Sequence, residues 1–231
     1  MEKAIQFTTK LFLSLIMITF VSCGDDFALT KKYYYVNEKS KEWLINDSLA
    51  TMFEMVDNNA ITYVFKGDKT KQSLNEGASG FLFVTTKKSF QENYYYSSIS
   101  NYGTSFSMSL YASYLDDSED VLHLYVDNIT VHINLKTAKI DYFGCRQNNV
   151  KWTQTDENDK NSVFVRAEFV DSINVRDCSY KGVLHCSIKD NINALDPNDM
   201  TEIYYAKGVG LIKYTLKSNI IVERKTTKII F

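Results

Sequence analysis

The feature that most constrains the fold is a two-residue alternation of apolar and polar side chains between residues 121 and 135. Asp127 and Asn128 in its middle suit a two-residue turn, because both residue types tolerate positive φ. Pairing Val126 with Ile129 across this turn segregates the two faces, whereas a slip of one residue would mix them. The apolar face then holds Leu122, Leu124, Val126, Ile129, Val131, Ile133 and Leu135. We therefore predict a β-hairpin of fixed register with one face in a core.

The same period recurs along the chain, as expected for many short strands. Residues 105–115 predict a long strand that buries Phe106, Met108, Leu110, Ala112 and Tyr114. Further hairpins are predicted at 52–65, turning at 57–59, and at 202–216, turning at Gly208 and Gly210. Other strand candidates are Gly80–Thr85, Tyr94–Ile99, Lys139–Phe143, Ser162–Phe169, Val183–Ile188 and Ile220–Arg224.

Helical patterns are scarce, and the composition agrees with a β protein. Only residues 38–46 suggest a short helix, and the polar stretches 66–79, 115–120, 153–161 and 189–200 suggest loops. The 16 Tyr, 14 Phe and single Pro suit pleated, half-buried surfaces. We expect an all-β, mostly antiparallel fold, namely a sandwich, a barrel or a half-barrel.

The N-terminus has the layout of an export signal. A short segment with Lys3 and Lys10 precedes an apolar run of eleven residues, LFLSLIMITFV, at 11–21. A membrane-spanning helix needs about 20 apolar residues, so this run fits the apolar region of a cleaved signal peptide. No later stretch approaches that length, and we predict no transmembrane helix.

The run ends in Phe20-Val21-Ser22-Cys23, which resembles the lipobox of bacterial lipoproteins, with Phe20 where leucine is commonest. The resemblance implies cleavage after residue 22, a diacylglycerol thioether on Cys23 and acylation of the new N-terminus. Two or three acyl chains would hold the protein at a membrane, because each buried methylene contributes about 0.8 kcal/mol. The competing interpretation is an ordinary secretory signal with a chance cysteine.

Asp25 and Asp26 follow the lipobox closely, which resembles the surface-export signal of Bacteroidetes-type lipoproteins. The resemblance implies a lipid-anchored protein of the outer membrane, exposed at the cell surface. We expect a signal peptide at 1–22, a tether at 23–32 and a β-rich domain at 33–231, with a subdivision near 144–161. The formal charge of −2 gives no basic face for nucleic acid.

His123 and His132 face each other in the predicted hairpin register. Opposite residues in a sheet lie roughly 4.5–5.5 Å apart at Cβ, close enough for two imidazoles to share a metal. A usable metal site needs a third ligand, and the local residues Tyr125 and Asn134 are poor ones. We therefore favour a polar sheet face with two histidines, and expect neither a metal nor a cofactor.

No catalytic motif is present. His185 lies in an alternating segment and is expected to be a strand residue, and the acidic runs at 116–120, 156–159 and 196–199 lack EF-hand spacing. Cys145, Cys178 and Cys186 show no zinc spacing. Cys178 and Cys186 could form a disulfide if their strands meet, or all three could be buried thiols.

These features predict a lipid-anchored, non-catalytic binding or assembly module. Its partners would be the membrane, through the lipid, and a glycan, a peptide or another protein, because exposed tyrosines on a β surface suit such contacts. Two alternatives stay open: a cell-envelope hydrolase with dispersed carboxylates or histidines, and a half-barrel that carries lipid.

Overall fold

The structure is a computed structural model that describes residues 30–81, 84–113, 119–127, 129–145, 150–152, 163–190, 193 and 195–225. The leader, Cys23 and the acidic run at 156–159 lie outside these residues. Two four-residue helices are described, α1 (Glu38–Lys41) and α2 (Asp47–Ala50). The described strands are β1 (Thr30–Tyr34), β2 (Met52–Asp57), β3 (Thr62–Gly67), β4 (Lys71–Phe81), β5 (Val84–Ser100), β6 (Ser105–Tyr111), β7 (Val121–Val126), β8 (Ile129–Asn134), β9 (Ile140–Cys145), β10 (Val150–Trp152), β11 (Val163–Val175), β12 (Cys178–Asp190), β13 (Met200–Ala206), β14 (Gly210–Leu216) and β15 (Ile221–Arg224).

The chain divides into two compact units. The smaller unit comprises Met1–Tyr35 and Leu74–Glu92, and the larger comprises Val36–Ser73 and Asn93–Phe231. No described helix has the length and apolar character that crossing a bilayer requires.

In the smaller unit, β1 pairs with the first half of β5 in parallel, with Thr30 opposite Lys87, and β4 also pairs with β5. Lys88 forms an ion pair with Glu76 at 3.0 Å. Residues 30–32, which the sequence analysis assigned to the tether, belong to β1. The strand that pairs with β1 lies more than fifty residues further along the chain, so no local pattern predicts β1.

The larger unit is an antiparallel sheet in the order β10-β9-β8-β7-β6-β5-β3-β2-β15-β14-β13-β12-β11. β9 and β11, near the two ends of this order, contact each other, and the sheet forms a nearly closed barrel. The all-β, mostly antiparallel prediction is thereby confirmed, with the barrel as the architecture of this unit.

The hairpin register predicted from alternation is confirmed. Val126 pairs with Ile129 and His123 with His132, and Asp127 has a φ of 50° in the turn. The apolar side chains from Leu122 to Ile133 are at most 1% exposed. Leu135 lies beyond β8 and is only half-buried, whereas Asn128 and Tyr114 fall outside the described residues.

One local expectation was wrong. Within the loop predicted at 66–79, residues 71–79 belong to β4, because pairing with β5 satisfies the backbone of a strand whose side chains from 71 to 76 are exposed. Of the strand predicted at 80–85, the described residues are the end of β4 at Phe81 and the start of β5 at Val84, and residues 82 and 83 lie outside the described part of the chain. The helix predicted over 38–46 is confined to α1, where the Asn37 side chain accepts a hydrogen bond from Lys39 N at 2.9 Å.

The interior of the larger unit is filled by aromatic side chains. Tyr205 is fully buried between Trp43 and Phe106, with centroid distances of 6.2 Å to each ring. Its hydroxyl donates to the Trp43 carbonyl at 2.7 Å. The Tyr96 hydroxyl donates to the Ala50 carbonyl at 2.8 Å, so both buried phenols are satisfied.

Arg224 is a buried cation among these rings, 3% exposed. Its Nη1 donates to the carbonyls of Val209 and Leu211 at 2.8 and 3.3 Å, and its Cζ lies 4.4 Å from the Phe53 ring centroid. Burial lowers the pKa of Arg224 to about 10. Carbonyl dipoles and an aromatic face thus stabilise the guanidinium.

Candidate functional site

Six aromatic or imidazole side chains collect on the side of the sheet opposite the core. Strands β6 to β9 pair antiparallel, so successive side chains alternate between the core and this second side. We call the set the aromatic face, and it consists of Tyr95, Tyr111, His123, Tyr125, His132 and Tyr142.

The centre of the aromatic face is a row of four rings that crosses four strands. His123 and His132 stack with centroids 3.5 Å apart and an interplanar angle of 4°. Tyr111 lies 4.6 Å from His123 on one side, and Tyr142 lies 4.7 Å from His132 on the other. The row is therefore continuous, with a phenol at each end.

Local features of β9 place Tyr142 at the end of this row. Tyr142 lies directly opposite His132 in the regular antiparallel register of β8 and β9, and the register irregularity at His132/Ile133 comes only after this pair. Gly144 gives the tyrosine room, because a Cβ at Gly144 would lie 2.7 Å from the Tyr142 hydroxyl oxygen. An aromatic ring over a glycine is a common way to cover exposed sheet backbone.

Side chains at the edges of the aromatic face are exposed to solvent, whereas its centre is buried. Tyr95 is 44% exposed and Tyr142 is 40% exposed. Ser109, opposite His123 and Tyr95 in the sheet, is only 3% exposed. The Tyr125 hydroxyl lies 3.4 Å from His123 Nδ1. The face thus offers exposed rings together with hydroxyl and imidazole polar atoms.

The two imidazoles are uncharged at neutral pH. Burial, and then repulsion from His132, lowers the pKa of His123 to about 3. Burial also lowers the pKa of His132, and Asp141 acts in the opposite direction. Stacking at 3.5 Å is consistent with this state, since two imidazolium rings would repel each other at that distance.

The ring geometry bears on the metal hypothesis for His123 and His132. Imidazole lone pairs lie in the ring plane, so two parallel stacked rings do not direct their nitrogen atoms at one point. Within the described part of the chain, no group of three His, Cys, Asp or Glu side chains could hold a metal ion. We assign the two histidines to the aromatic face.

His185 belongs to a separate polar cluster on β11–β13. Its Nδ1 lies 3.2 Å from Glu168 Oε1, and its ring stacks on Tyr204 at 4.2 Å. Its Nε2 is buried without a hydrogen-bond partner. The Glu168 side chain is 46% exposed, so this carboxylate is not the buried partner that a hydrolytic site would call for.

Two acidic residues from the predicted loops bind backbone amides. Asp120 Oδ2 accepts from Asn37 N at 2.8 Å, and Asp199 Oδ2 accepts from Asp196 N at 2.8 Å. Each carboxylate therefore has a structural role, because it accepts a hydrogen bond from a backbone amide.

Cys178 and Cys186 are both thiols, and the side chain of Cys145 lies outside the described part of the structure. Cys178 and Cys186 lie on the same strand, β12, which rules out the disulfide considered from the sequence. Burial raises the pKa of the Cys186 thiol to about 12, so this residue behaves as a small apolar group.

Sequence reasoning found the pair of histidines but not the row that contains them. Tyr111 and Tyr142 join the row through strands β6 and β9, and an alternation pattern within one hairpin carries no information about its neighbours. The available signal was Tyr142-Phe143-Gly144, an aromatic two positions before a strand glycine.

No protein-family model, no curated protein and no solved structure matches the chain.

Proposed function

We propose that this protein is a lipid-anchored, non-catalytic module of the bacterial outer membrane that binds carbohydrate at the cell surface through its aromatic face. The observation that carries the proposal is the row of uncharged rings on the outer side of β6–β9, with Tyr95 and Tyr142 exposed at 44% and 40%. The C–H faces of a sugar ring pack on such aromatic rings, while its hydroxyls bond to phenols and imidazoles.

Chemistry favours a sugar over the other ligand classes considered. The two imidazoles of the aromatic face are uncharged at neutral pH, and the other members of the face are phenols, so it offers no ion pair to a charged peptide or a nucleic acid. The interior of the larger unit is filled by Tyr96, Phe106 and Tyr205, each at most 1% exposed, which argues against a lipid-carrying cavity. The cluster around His185 contains no described nucleophile in contact with the imidazole, which argues against hydrolysis.

A glycan array probed with the mature chain, made with Cys23→Ser to omit the lipid, tests the binding activity. Tyr142→Ala is expected to weaken binding of the best glycan about fivefold, because an aromatic contact is worth roughly 1 kcal/mol. Tyr102→Ala is the matched control: Tyr102 is 63% exposed and packs at a tilt against Tyr63, with ring centroids 5.2 Å apart, outside the aromatic face.

Equal binding by the Tyr142→Ala variant and the unsubstituted chain would contradict the assignment of the aromatic face. An array without any bound glycan would refute carbohydrate as the ligand class.

The anchor is tested separately by labelling cells with an alkynyl fatty acid. The chain is expected to become labelled and to sediment with outer membranes, and Cys23→Ser to abolish the label. Labelling that persists in the Cys23→Ser chain, or an unlabelled original chain, would contradict the lipid anchor.

A further inference from the structure

We infer that the aromatic face binds a linear, uncharged carbohydrate chain that lies across strands β5 to β9 and contacts Tyr95 and Tyr142 at the same time. The inference rests on the proposed function, because it takes carbohydrate as the ligand class of the aromatic face. It adds the shape, the charge and the minimum length of the chain that this face selects, and it makes Tyr95 the residue that distinguishes long chains from short ones.

Tyr95 and Tyr142 are the two ends of one row of directly paired residues. Tyr95 pairs with Ser109, and Ser109 pairs with His123 on the next strand. His123 pairs with His132, and His132 pairs with Tyr142. Directly paired residues lie on the same side of a sheet, so we call these five residues the central row. All five belong to the larger unit.

The length of the central row determines the length of the ligand. Tyr95 lies on β5 and Tyr142 on β9, and the strands between them are β6, β7 and β8. Four steps of about 4.8 Å between neighbouring strands separate the two tyrosines by about 19 Å along the sheet. A pyranose unit in an extended chain advances by about one such step, so about four units reach from one tyrosine to the other. A disaccharide can contact only one of the two.

The central row offers two separate stacking surfaces of different size. His123, His132 and Tyr142 follow each other with ring centroids 3.5 and 4.7 Å apart. Ser109, which is 3% exposed, separates these rings from Tyr95. A short glycan is therefore expected to bind on the continuous rings at the Tyr142 end, and Tyr95 gains a contact only when the chain extends across Ser109.

The rows on either side of the central row supply polar groups without charge. On strands β5 to β8 neither adjacent row contains a charged residue, although 23% of the chain is charged. One adjacent row carries hydroxyl groups and the other carries amides, from Ser97, Ser107 and Thr130 and from Asn93 and Asn134, all half-buried. Such groups donate and accept hydrogen bonds with sugar hydroxyls.

The charge near the Tyr142 end also favours an uncharged chain. Burial lowers the pKa of His132, and the nearby Asp141 carboxylate opposes this shift. Because Asp141 is exposed and acidic, it would repel a glycan that carries carboxylate or sulfate groups.

Isothermal titration calorimetry of the mature Cys23→Ser chain tests the inference. The probes are linear oligosaccharides, from dimers to octamers, of β-1,4-glucan, β-1,3-glucan, α-1,4-glucan, β-1,4-mannan and β-1,4-xylan. In the series that binds, affinity is expected to increase with chain length up to about four units, where the chain reaches both tyrosines, and to change little beyond.

Substitution of Tyr95 is expected to affect only long chains. Tyr95→Ala should weaken binding of the hexamer about fivefold, which is the effect of one aromatic contact, and should leave binding of the dimer unchanged. Tyr142→Ala should weaken binding of both about fivefold. The double variant should weaken binding of the hexamer about twenty-fivefold, because contacts this far apart act independently.

Two controls separate the ring contact from the fold. Tyr95→Phe keeps the ring and is expected to retain binding of the hexamer. Tyr102→Ala removes an exposed tyrosine outside the aromatic face and is also expected to retain it. Affinity that does not depend on chain length, or a Tyr95→Ala effect that is the same for dimer and hexamer, overturns the inference but leaves the aromatic face as a carbohydrate site. Binding of no oligosaccharide in these series also overturns the inference, whereas the proposed function is refuted only by an array without any bound glycan.

Discussion

Replacing Tyr205 with Ala is expected to lower the free energy of unfolding by about 5 kcal/mol. Loss of a large buried aromatic side chain costs roughly 3–5 kcal/mol, and the Trp43 carbonyl that accepts from the Tyr205 hydroxyl at 2.7 Å would lose its partner, at roughly 1–3 kcal/mol. The total approaches the whole stability of many domains. Urea unfolding monitored by circular dichroism and tryptophan fluorescence measures the change.

Two further variants separate the two contributions at Tyr205. Tyr205→Phe keeps the ring between Trp43 and Phe106 and removes only the hydroxyl, so a loss of about 1–3 kcal/mol is expected. Tyr102→Ala removes an exposed tyrosine and is expected to change stability by less than about 0.5 kcal/mol. A Tyr205→Ala protein as stable as Tyr102→Ala would show that the interior is not packed around this ring.

The parts of the fold that alternation specifies could be predicted from the sequence. The β7–β8 register follows from two local signals. Asp127 favours the turn, and the two-residue period of the strands then puts Leu124 and Val131 on the same face. Such information is local, because the turn and both strands lie within fifteen residues. The β2–β3 and β13–β14 hairpins were predictable for the same reason.

The parts that depend on distant pairing could not be predicted. β1 is defined only by its contact with β5, and the polar residues of β4 give no apolar period to detect. Likewise the contact between His185 and Glu168 joins β11 to β12 at a register that no single strand specifies. The barrel follows from the order in which the strands pair, and a hydrophobic pattern alone does not determine that order.

The candidate site combines a feature that was predictable from local sequence with one that depends on pairing between distant strands. That His123 faces His132 on a polar sheet face was predictable from one hairpin, but the stacking of the two rings between Tyr111 and Tyr142 was not. The two imidazoles are neutral because they are buried, and the burial of a residue on the outer side of a sheet depends on neighbours from other strands. The same burial makes the stack sensitive to acid.

Acid is expected to destabilise the protein through His123, and His123→Phe to remove much of this effect. The pKa of His123 is about 3 in the folded protein against 6.5 for an unperturbed histidine, so below pH 6.5 the unfolded chain binds a proton that the folded chain does not. Stability therefore falls as the pH drops from 6.5 toward 3. Between pH 7 and pH 4 the loss attributable to His123 is about 3 kcal/mol, at 1.36 kcal/mol per pH unit.

Urea unfolding of the original chain and of His123→Phe at pH 7, 6, 5 and 4 measures this linkage, since titration of the other groups is largely common to both proteins. His123→Gln is the second variant: it lacks both the ring and the proton-binding nitrogen, so its stability at pH 7 will differ from that of His123→Phe. Both variants should nevertheless show the same shallower dependence on pH, because each removes the same titrating group. Parallel pH dependences for the original chain and both variants would mean that His123 takes up its proton equally in the folded and unfolded states, and that the imidazole stack is not the buried neutral pair on which the aromatic face depends.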